Sequence, residues 1–307
     1  MLKSNQKFSN KYTTANGASR AFVNFIGLKT LWFNTGTLCN LTCKGCYIES
    51  SPTNDKLLYL SLKDVEHYIN EILINNKSCK TIGFTGGEPF MNKDIIEILE
   101  LCLVKGFDVL VLTNAMQPMQ NKINNLKKLS KFKKLKLRVS LDHFCMSEHE
   151  KIRGKKTWNK ALRGIELLIN NNFNLNIASR ILYKDEQLIR DGFAKLFKLH
   201  NFKMNANDPN DLVLFPEMDS KFNTPEITTE CWNLLSVESK NMMCSDSRMI
   251  VKRKEDKQTH VVACTLIPHE YRFSYGHILR NSFKKVYLNH PYCSKFCVLG
   301  GATCSNN

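Results

Sequence analysis

Residues 31–47 read Leu-Trp-Phe-Asn-Thr-Gly-Thr-Leu-Cys-Asn-Leu-Thr-Cys-Lys-Gly-Cys-Tyr. The stretch begins as a short buried strand and continues as a loop that carries Cys39, Cys43 and Cys46. Thiolates at C-x3-C-x2-C spacing can hold zinc or an iron–sulfur cluster, and the spacing alone does not decide between them. Three cysteines leave one iron of a four-iron cluster open to chemistry, whereas a structural zinc site would borrow a distant fourth Cys or His.

The same kind of strand recurs along the chain, and helical patterns lie between the strands. Apolar runs predict strands at residues 31–35, 81–84, 107–112, 135–141, 175–179 and 212–215. Helical spacing follows the N-cap sequence at Ser61, begins again near Asn92, and covers residues 158–170 and 186–199. Six strand–helix units with fully buried strands predict a parallel sheet, which right-handed crossovers would curl into an open or closed barrel.

The sequence changes character after the sixth strand. Pro216 and Pro225 bracket the change, and a further helix is predicted at residues 229–239. We therefore divide the chain into an N-terminal arm, a barrel, a linker with a helix, and a cysteine-rich C-terminal domain. The predicted bounds are 1–30, 31–215, 216–243 and 244–307.

Charge and cysteine content narrow the function classes. The chain has 307 residues, a net charge of +16 and 12 cysteines. The charge is compatible with nucleic acid or an anionic substrate, but lysine is spread throughout and no RNA-binding motif is present, so we do not expect a nucleic-acid partner. Cysteines without a secretion signal indicate metal ligation in a reducing, cytoplasmic compartment. No apolar stretch is long enough to span a membrane.

A second motif accompanies the cysteine loop. Gly86-Gly87-Glu88-Pro89 follows the next predicted strand. Together with C-x3-C-x2-C followed by Tyr47, it resembles the signature of the radical S-adenosylmethionine (SAM) superfamily, over roughly residues 31–215. The resemblance implies an α/β fold, a partial (β/α)6 barrel of the TIM type. The motifs lie at strand ends, where barrel enzymes collect their active-site residues.

The resemblance also implies the cofactors and the reaction. Cys39, Cys43 and Cys46 would ligate three irons of a [4Fe-4S] cluster, and the amino and carboxylate groups of SAM would chelate the fourth iron. An electron passed through the cluster would cleave SAM to methionine and a 5′-deoxyadenosyl radical, which abstracts a hydrogen atom from the substrate. The protein contributes placement, electrostatics and exclusion of water.

Further roles follow from the same resemblance. Gly86 and Gly87 would allow close backbone approach to the methionine part of SAM. The Glu88 side chain would be structural, while the backbone around it would accept from the ammonium of SAM. Tyr47 would lie near the adenine. Asn114 occupies a position where the family often has Thr-Asn-Gly, and the alanine that follows is a departure from that pattern.

Two later strand ends complete the SAM site that the resemblance implies. Ser140, in the segment that includes Asp142, would bond the SAM carboxylate or ribose. Arg153 would pair with the carboxylate. Ser179 and Arg180 follow the fifth strand and could reach ribose or substrate, or could be polar caps without a catalytic role.

A second group of cysteines lies near the C-terminus. Residues 248–252 and 260–264 predict a β-hairpin with Cys244 and Cys264 at its ends, and Cys293, Cys297 and Cys304 follow. The layout resembles the auxiliary-cluster extensions called SPASM and twitch. It implies one auxiliary [4Fe-4S] cluster, held by Cys244, Cys264 and two of the last three cysteines. A structural zinc site with the same ligands is the alternative.

The resemblance leaves the substrate class open between a small molecule and a peptide. With no separate peptide-recognition domain before Leu31, we expect a small molecule, or a peptide captured at the mouth of the barrel. A flavodoxin- or ferredoxin-type protein is the expected electron donor. A basic iron–sulfur or zinc protein that binds nucleic acid is the rival hypothesis, but it leaves the Gly-Gly-Glu-Pro motif unexplained.

Overall fold

The strand that precedes the cysteine loop, β2 (Thr30–Asn34), is buried along its whole length. Such a strand needs a neighbour on both edges and a layer on each face. The computed structural model of the protein describes residues 7–75, 78–181, 185–216 and 223–301, and within these ranges β2 has both neighbours. It pairs in parallel with β3 (Thr81–Thr85) on one side and with β8 (Ser247–Lys252) on the other.

Ten strands and eight α-helices are assigned within the described residues. The strands are β1 (Phe22–Val23), β2 (Thr30–Asn34), β3 (Thr81–Thr85), β4 (Asp108–Thr113), β5 (Leu135–Ser140), β6 (Asn174–Ile181), β7 (Leu212–Pro216), β8 (Ser247–Lys252), β9 (Thr259–Val262) and β10 (Val286–Tyr287). The helices are α1 (Leu62–Asn75), α2 (Ile95–Val104), α3 (Gln117–Asn121), α4 (Ile123–Leu126), α5 (Met146–Arg153), α6 (Trp158–Asn170), α7 (Glu186–Leu199) and α8 (Cys231–Leu234).

The main sheet has eight strands in the order β7-β6-β5-β4-β3-β2-β8-β9. Pairing is parallel from β7 to β8, and the hairpin of β8 and β9 adds an antiparallel edge. The six strands predicted from the sequence, β2 to β7, therefore lie side by side in chain order. This arrangement confirms the α/β class and forms the partial barrel.

The longer helices α1, α2, α6 and α7 cover the outer face of the sheet because each presents an apolar stripe to it. The stripe of α6 includes Ala161, Ile165 and Leu168, all buried. At the start of α1, the Asp64 amide donates to Ser61 Oγ at 3.3 Å and the Asp64 carboxylate accepts from the Ser61 amide at 2.8 Å, which is a reciprocal cap. Gly106, with a φ of +88°, follows the last turn of α2 and stops the helix.

On the inner face of the barrel, the aromatic ring of Trp32 fills the space at one level. Trp32 on β2 is fully buried and lies against Gly83, its register partner on β3. A Cβ at residue 83 would fall 2.4 Å from the indole, so only glycine leaves room for the ring. Further along this face, Arg138 donates through Nε to Asn176 Oδ1 at 3.2 Å.

The two ends of the chain meet on one side of the barrel. The β1 strand pairs with β10, and buried Arg20 contacts Glu226 at 2.6 Å. The N-terminal segment, predicted as a poorly ordered arm or an edge element, is ordered from residue 7 to β1 by these contacts. The helix predicted at 229–239 is shorter and consists of α8 alone, since its remaining residues form turns.

Three helices were missing from the sequence prediction: α3, α4 and α5. The first two are single short turns between β4 and β5. The sequence of α5 is mostly charged, and only His149 of it is buried, so no apolar period marks it.

No helix among the described residues has the length and apolar character needed to cross a membrane.

Candidate active site

The cysteine loop begins where β2 ends and lies over the mouth of the barrel. The Cys39 amide donates to Ser51 O at 3.0 Å, and the Lys44 amide donates to Ile152 O at 2.8 Å, which ties the loop to the end of α5. Gly45 has a φ of +70° between the second and third cysteines. The loop is therefore held at both ends of its cysteine segment.

The three thiols lie close enough to affect one another. Burial, together with smaller contributions from the charges of Cys43 and Cys46, raises the pKa of Cys39 to about 12. Burial also raises the pKa of Cys43, although the positive charge of the neighbouring Arg153 opposes this increase. Such thiols become thiolates only when a cation compensates their charge, as iron in a cluster does. The donor set fits a cluster at this position.

The two glycines of the second motif press against the cysteine loop. A Cβ on Gly87 would fall 2.1 Å from Leu38 O, and one on Gly86, at a φ of +130°, would fall 2.6 Å from Gly36 O. The Gly87 amide donates to Gly36 O at 2.8 Å. The sequence prediction concerned their approach to SAM; their contact with the start of the loop is an additional role that the sequence did not reveal.

Glu88 braces the ends of two neighbouring strands. Its buried carboxylate accepts from Thr113 Oγ1 at 2.8 Å, from the Asn114 amide at 2.8 Å and from the Phe90 amide at 3.1 Å. Burial raises the pKa of Glu88 to about 7, although these hydrogen bonds favour the charged form. Glu88 thus fixes the turn after β3 to the end of β4.

Asn114 links the end of β4 to the cysteine loop. Its Nδ2 donates to Asn40 Oδ1 at 2.9 Å, and its Oδ1 accepts from the Met116 amide at 3.0 Å. Ala115 follows with a φ of +55°, a conformation that glycine adopts more readily. The contribution of Asn40 was not predicted, because a residue between two cysteines carries no signal of its own.

A buried carboxylate that follows β5 lies between one arginine at the end of α5 and another near the end of β6. Asp142 accepts from Arg153 Nε at 2.7 Å and from Arg180 Nε at 3.2 Å. Burial alone would raise the pKa of Asp142, but the two guanidinium groups hold it below its usual value. Arg180 also donates to Lys44 O at 3.4 Å, so the group reaches the cysteine loop.

Asp142, Arg153 and Arg180 line a cavity of about 140 Å³, which the cysteine loop reaches through Gly45 and Tyr47. Tyr47, Ser140, Asp142 and Arg153, all predicted, line it. The sequence analysis did not single out Arg138, although it lies two residues before Ser140 and therefore on the same face of the strand. Leu266 and Phe296 line the cavity from the C-terminal part of the chain.

Four cysteines surround a second, smaller cavity of about 20 Å³. Cys244 precedes β8, Cys264 follows β9, and Cys293 and Cys297 lie on one short helix, Cys293–Val298. Burial raises the pKa of Cys244 to about 11 and that of Cys293 to about 12. These side chains fit the four-thiolate set of a [4Fe-4S] cluster.

The fifth predicted ligand, Cys304, lies outside the described residues. Leu266 lines both cavities, so one side chain forms part of each wall. Within the described ranges, no group of three or more Cys, His, Asp or Glu side chains is arranged to hold a single metal ion. In a four-iron cluster each cysteine binds a different iron, so the sulfurs lie farther apart than they do around one ion.

Comparison with protein families identifies the barrel. Residues 33–188 match the family model of the radical SAM superfamily, which is half of the chain. The chain belongs to the radical SAM superfamily. A [4Fe-4S] cluster and SAM, the cofactors predicted from the motifs, are the cofactors of this superfamily.

Curated relatives are longer than this chain. The antilisterial bacteriocin subtilosin biosynthesis protein AlbA of Bacillus subtilis (strain 168) is 26% identical over 277 residues, which cover 84% of this chain and 58% of AlbA. The GTP 3′,8-cyclase of Haemophilus influenzae (strain PittEE) is 26% identical over 149 residues, or 48% of this chain and 43% of the cyclase. The chain thus spans about half the length of these relatives.

Solved structures share the fold. Streptococcus suis SuiB bound to the precursor peptide SuiA has a TM-score of 0.62 at 12% identity, covering 84% of this chain and 65% of SuiB. Native anSMEcpe with bound AdoMet has a TM-score of 0.59 at 16% identity, covering 89% of this chain and 84% of anSMEcpe. At these identities the likeness concerns the fold alone.

Proposed function

We propose that this protein is a radical SAM enzyme that modifies a peptide and carries an auxiliary [4Fe-4S] cluster. The observation that carries the proposal concerns the loop that bears Cys39, Cys43 and Cys46. Its Gly45 and Tyr47 line the same cavity as Asp142 and Arg153. When bound, the cluster and SAM supply reductive cleavage of SAM and hydrogen abstraction from the substrate. The remaining tasks belong to side chains of this chain.

Those tasks are orientation and exclusion of water. We assign the SAM carboxylate to the guanidinium of Arg153, which Asp142 holds in place from the opposite side. Ser140 is assigned to the carboxylate or ribose, Tyr47 to the adenine side, and the backbone of Gly86 and Gly87 to the methionine part. The apolar side chains Leu112, Phe215 and Phe296 shield the same cavity from solvent.

For the auxiliary cluster we propose the ligands Cys244, Cys264, Cys293 and Cys297, because these four surround one small cavity. This choice takes Cys293 and Cys297 from the three C-terminal candidates. The shared wall at Leu266 brings the cluster next to the substrate cavity. A cluster so close can accept an electron from a substrate radical.

A peptide substrate is favoured over a small molecule. AlbA is a biosynthesis protein of the bacteriocin subtilosin, and SuiB and anSMEcpe have been solved with peptides bound. We further propose a flavodoxin- or ferredoxin-type electron donor and a cytoplasmic location, where the thiols remain reduced.

The test is anaerobic reconstitution followed by dithionite and SAM. We expect 5′-deoxyadenosine, which Cys43→Ala should abolish while Cys102→Ala, a buried core cysteine, retains it. Iron should be about eight atoms per chain and fall to about four in Cys264→Ala. Equal amounts of 5′-deoxyadenosine from Cys43→Ala and the wild type would rule out the proposed chemistry, and about four irons in the wild type would remove the auxiliary cluster.

A further inference from the structure

Arg248 on β8 is a fully buried cation. Its Nη1 donates to Cys244 O at 2.7 Å and to Ser247 O at 2.6 Å, its Nε donates to Ser282 O at 2.9 Å, and its Nη2 donates to Lys284 O at 2.9 Å. The guanidinium carbon lies 4.4 Å from the centroid of the Phe25 ring. The side chain is therefore fixed in one orientation.

Carbonyl groups satisfy the hydrogen bonds of Arg248 but leave its charge uncompensated. Among the described residues it forms no ion pair with a carboxylate. The Asp246 carboxylate interacts with it electrostatically, but from beyond ion-pair distance. The buried Arg20 and the partly buried Arg153, by contrast, contact Glu226 and Asp142 directly. A buried charge without a counter-charge costs several kcal/mol, so an anion is expected nearby.

The candidate anion is the proposed auxiliary cluster. The guanidinium donates to the backbone of Cys244 and lies close enough to the Cys244 and Cys264 side chains for charges there to interact with it. Four thiolates outweigh the positive charge of a four-iron core, and reduction adds one more negative charge to the cluster. A fixed cation beside it therefore stabilises the reduced form more than the oxidised form.

We propose that Arg248 is a positioning residue that sets the reduction potential of the auxiliary cluster, raising it through its fixed positive charge. The inference rests on the proposed cluster at Cys244, Cys264, Cys293 and Cys297. It also explains why a strand residue at the start of the hairpin buries an arginine where an apolar residue would pack at lower cost.

The test uses the full chain with Cys39, Cys43 and Cys46 all changed to alanine, so that the auxiliary cluster is measured alone by EPR-monitored redox titration. Arg248→Met and Arg248→Gln should lower the equilibrium constant for cluster reduction at least about tenfold, or about 59 mV for one electron. Arg248→Lys, which keeps the charge, should restore most of the shift. Arg20→Met, a buried arginine outside the cysteine cavity, should leave the potential unchanged.

Two neutral variants guard against misfolding, since Met keeps the volume and Gln keeps hydrogen-bonding capacity. An unchanged potential in either folded neutral variant would overturn the role of Arg248. So would an equal shift in Arg248→Lys, because lost carbonyl contacts would then be the cause. A triple-alanine protein that binds no cluster would instead contradict the auxiliary centre itself, and the role of Arg248 with it.

Discussion

At the residue scale, close backbone contacts determine the shape of the site more than the predicted ligands do. Gly164 on α6 lies directly beneath the turn after β4, and a Cβ there would fall 1.8 Å from Ala115 O. That turn carries Asn114, which contacts Asn40 in the cysteine loop. A helix on the outside of the barrel thus supports the site through one glycine.

We expect Gly164→Ala to lower the free energy of unfolding by about 1–3 kcal/mol, because overpacking exceeds the gain of roughly 1 kcal/mol in helix propensity. Denaturant unfolding of the apoprotein measures this change. Arg163→Ala, at the adjacent exposed position, is the control and should change stability by less than about 0.5 kcal/mol. A Gly164→Ala protein as stable as the control would show that the turn yields to the methyl group.

The carboxylate of Asp142 makes a second residue-scale prediction. Asp142→Asn leaves the guanidinium groups of Arg153 and Arg180 without their shared counter-charge, which should cost about 3 kcal/mol. Equilibrium binding of SAM to the reconstituted protein should weaken as Arg153 loses its orientation. Asp191→Asn, an exposed position on α7, should change neither quantity. If Asp142→Asn bound SAM as tightly as the wild type, the ion pair between Asp142 and Arg153 would have no part in SAM binding.

Acid should destabilise the protein through His149. Burial lowers its pKa to about 4 from 6.5, and neither ring nitrogen has a hydrogen-bond partner within the described residues. The folded chain thus binds fewer protons than the unfolded chain between these values. Stability is complete above pH 6.5 and is lost as the pH falls through 4, by about 3 kcal/mol for this side chain.

Replacing the ring tests this dependence. Thermal melts of the apoprotein between pH 7 and pH 4 should show a smaller decrease in Tm for His149→Leu than for the wild type. A remaining decrease is expected because burial also lowers the pKa of His290 to about 4. His67→Asn changes an exposed ring and should behave as the wild type does; a similar profile for all three proteins would contradict the assignment.

At the element scale, hydrophobic periodicity predicted the strands and helices whose own residues carry a repeating apolar pattern. Buried strands and amphipathic helices leave a pattern, so β2 to β7, α6 and α7 were found close to their observed ends. The charged α5 leaves no such pattern, because its position depends on contacts of His149 and Arg153 that form only in the folded chain. The pairing of β1 with β10 is invisible for the same reason, since each strand has two residues.

The site follows the same division. Motif spacing indicated the cysteines and glycines, and the family resemblance indicated Ser140 and Asp142 at a strand end. Arg138 shares a face of β5 with Ser140, so the strand period could have indicated it, whereas Leu266 lines the cavity only through tertiary placement. The hairpin was predicted from its two strands, but its parallel pairing with β2 was not, because the paired residues are remote in sequence.

The N-terminal segment supplies a prediction about one element. Glu226 accepts from the Phe8 and Ala15 amides and from Arg20 Nη2, each at 2.6 Å. Glu226→Ala removes all three contacts and should release the segment before β1. Limited trypsin digestion should then cut at Lys11 at least about tenfold faster, with the barrel still intact, while Glu230→Ala should be cut at the wild-type rate. Equal cleavage rates in Glu226→Ala and the wild type would show that Glu226 does not hold the N-terminal segment in place.

At the scale of the whole molecule, the charge of +16 bears on the electron donor. Flavodoxins and ferredoxins are expected here as acidic partners, and opposite net charges accelerate encounter at low ionic strength. We expect the rate of cluster reduction by such a donor to fall steeply from low to high salt. Stopped-flow absorbance measures this rate, and total reduction by dithionite provides the end point. A reduction rate that does not change with salt concentration would show that the net charge has no role in donor binding.

The parallel pairing of Thr30 with Ser247 has a consequence for synthesis of the chain. One edge of β2 stays open until the C-terminal hairpin has left the ribosome, although the other strands of the barrel can already pair. An unpaired strand edge is a template for aggregation. The hairpin flanked by two of the proposed auxiliary ligands therefore also protects the nascent barrel. Chains truncated before Ser247 should be lost to inclusion bodies or proteolysis even where every residue of the proposed SAM site is present.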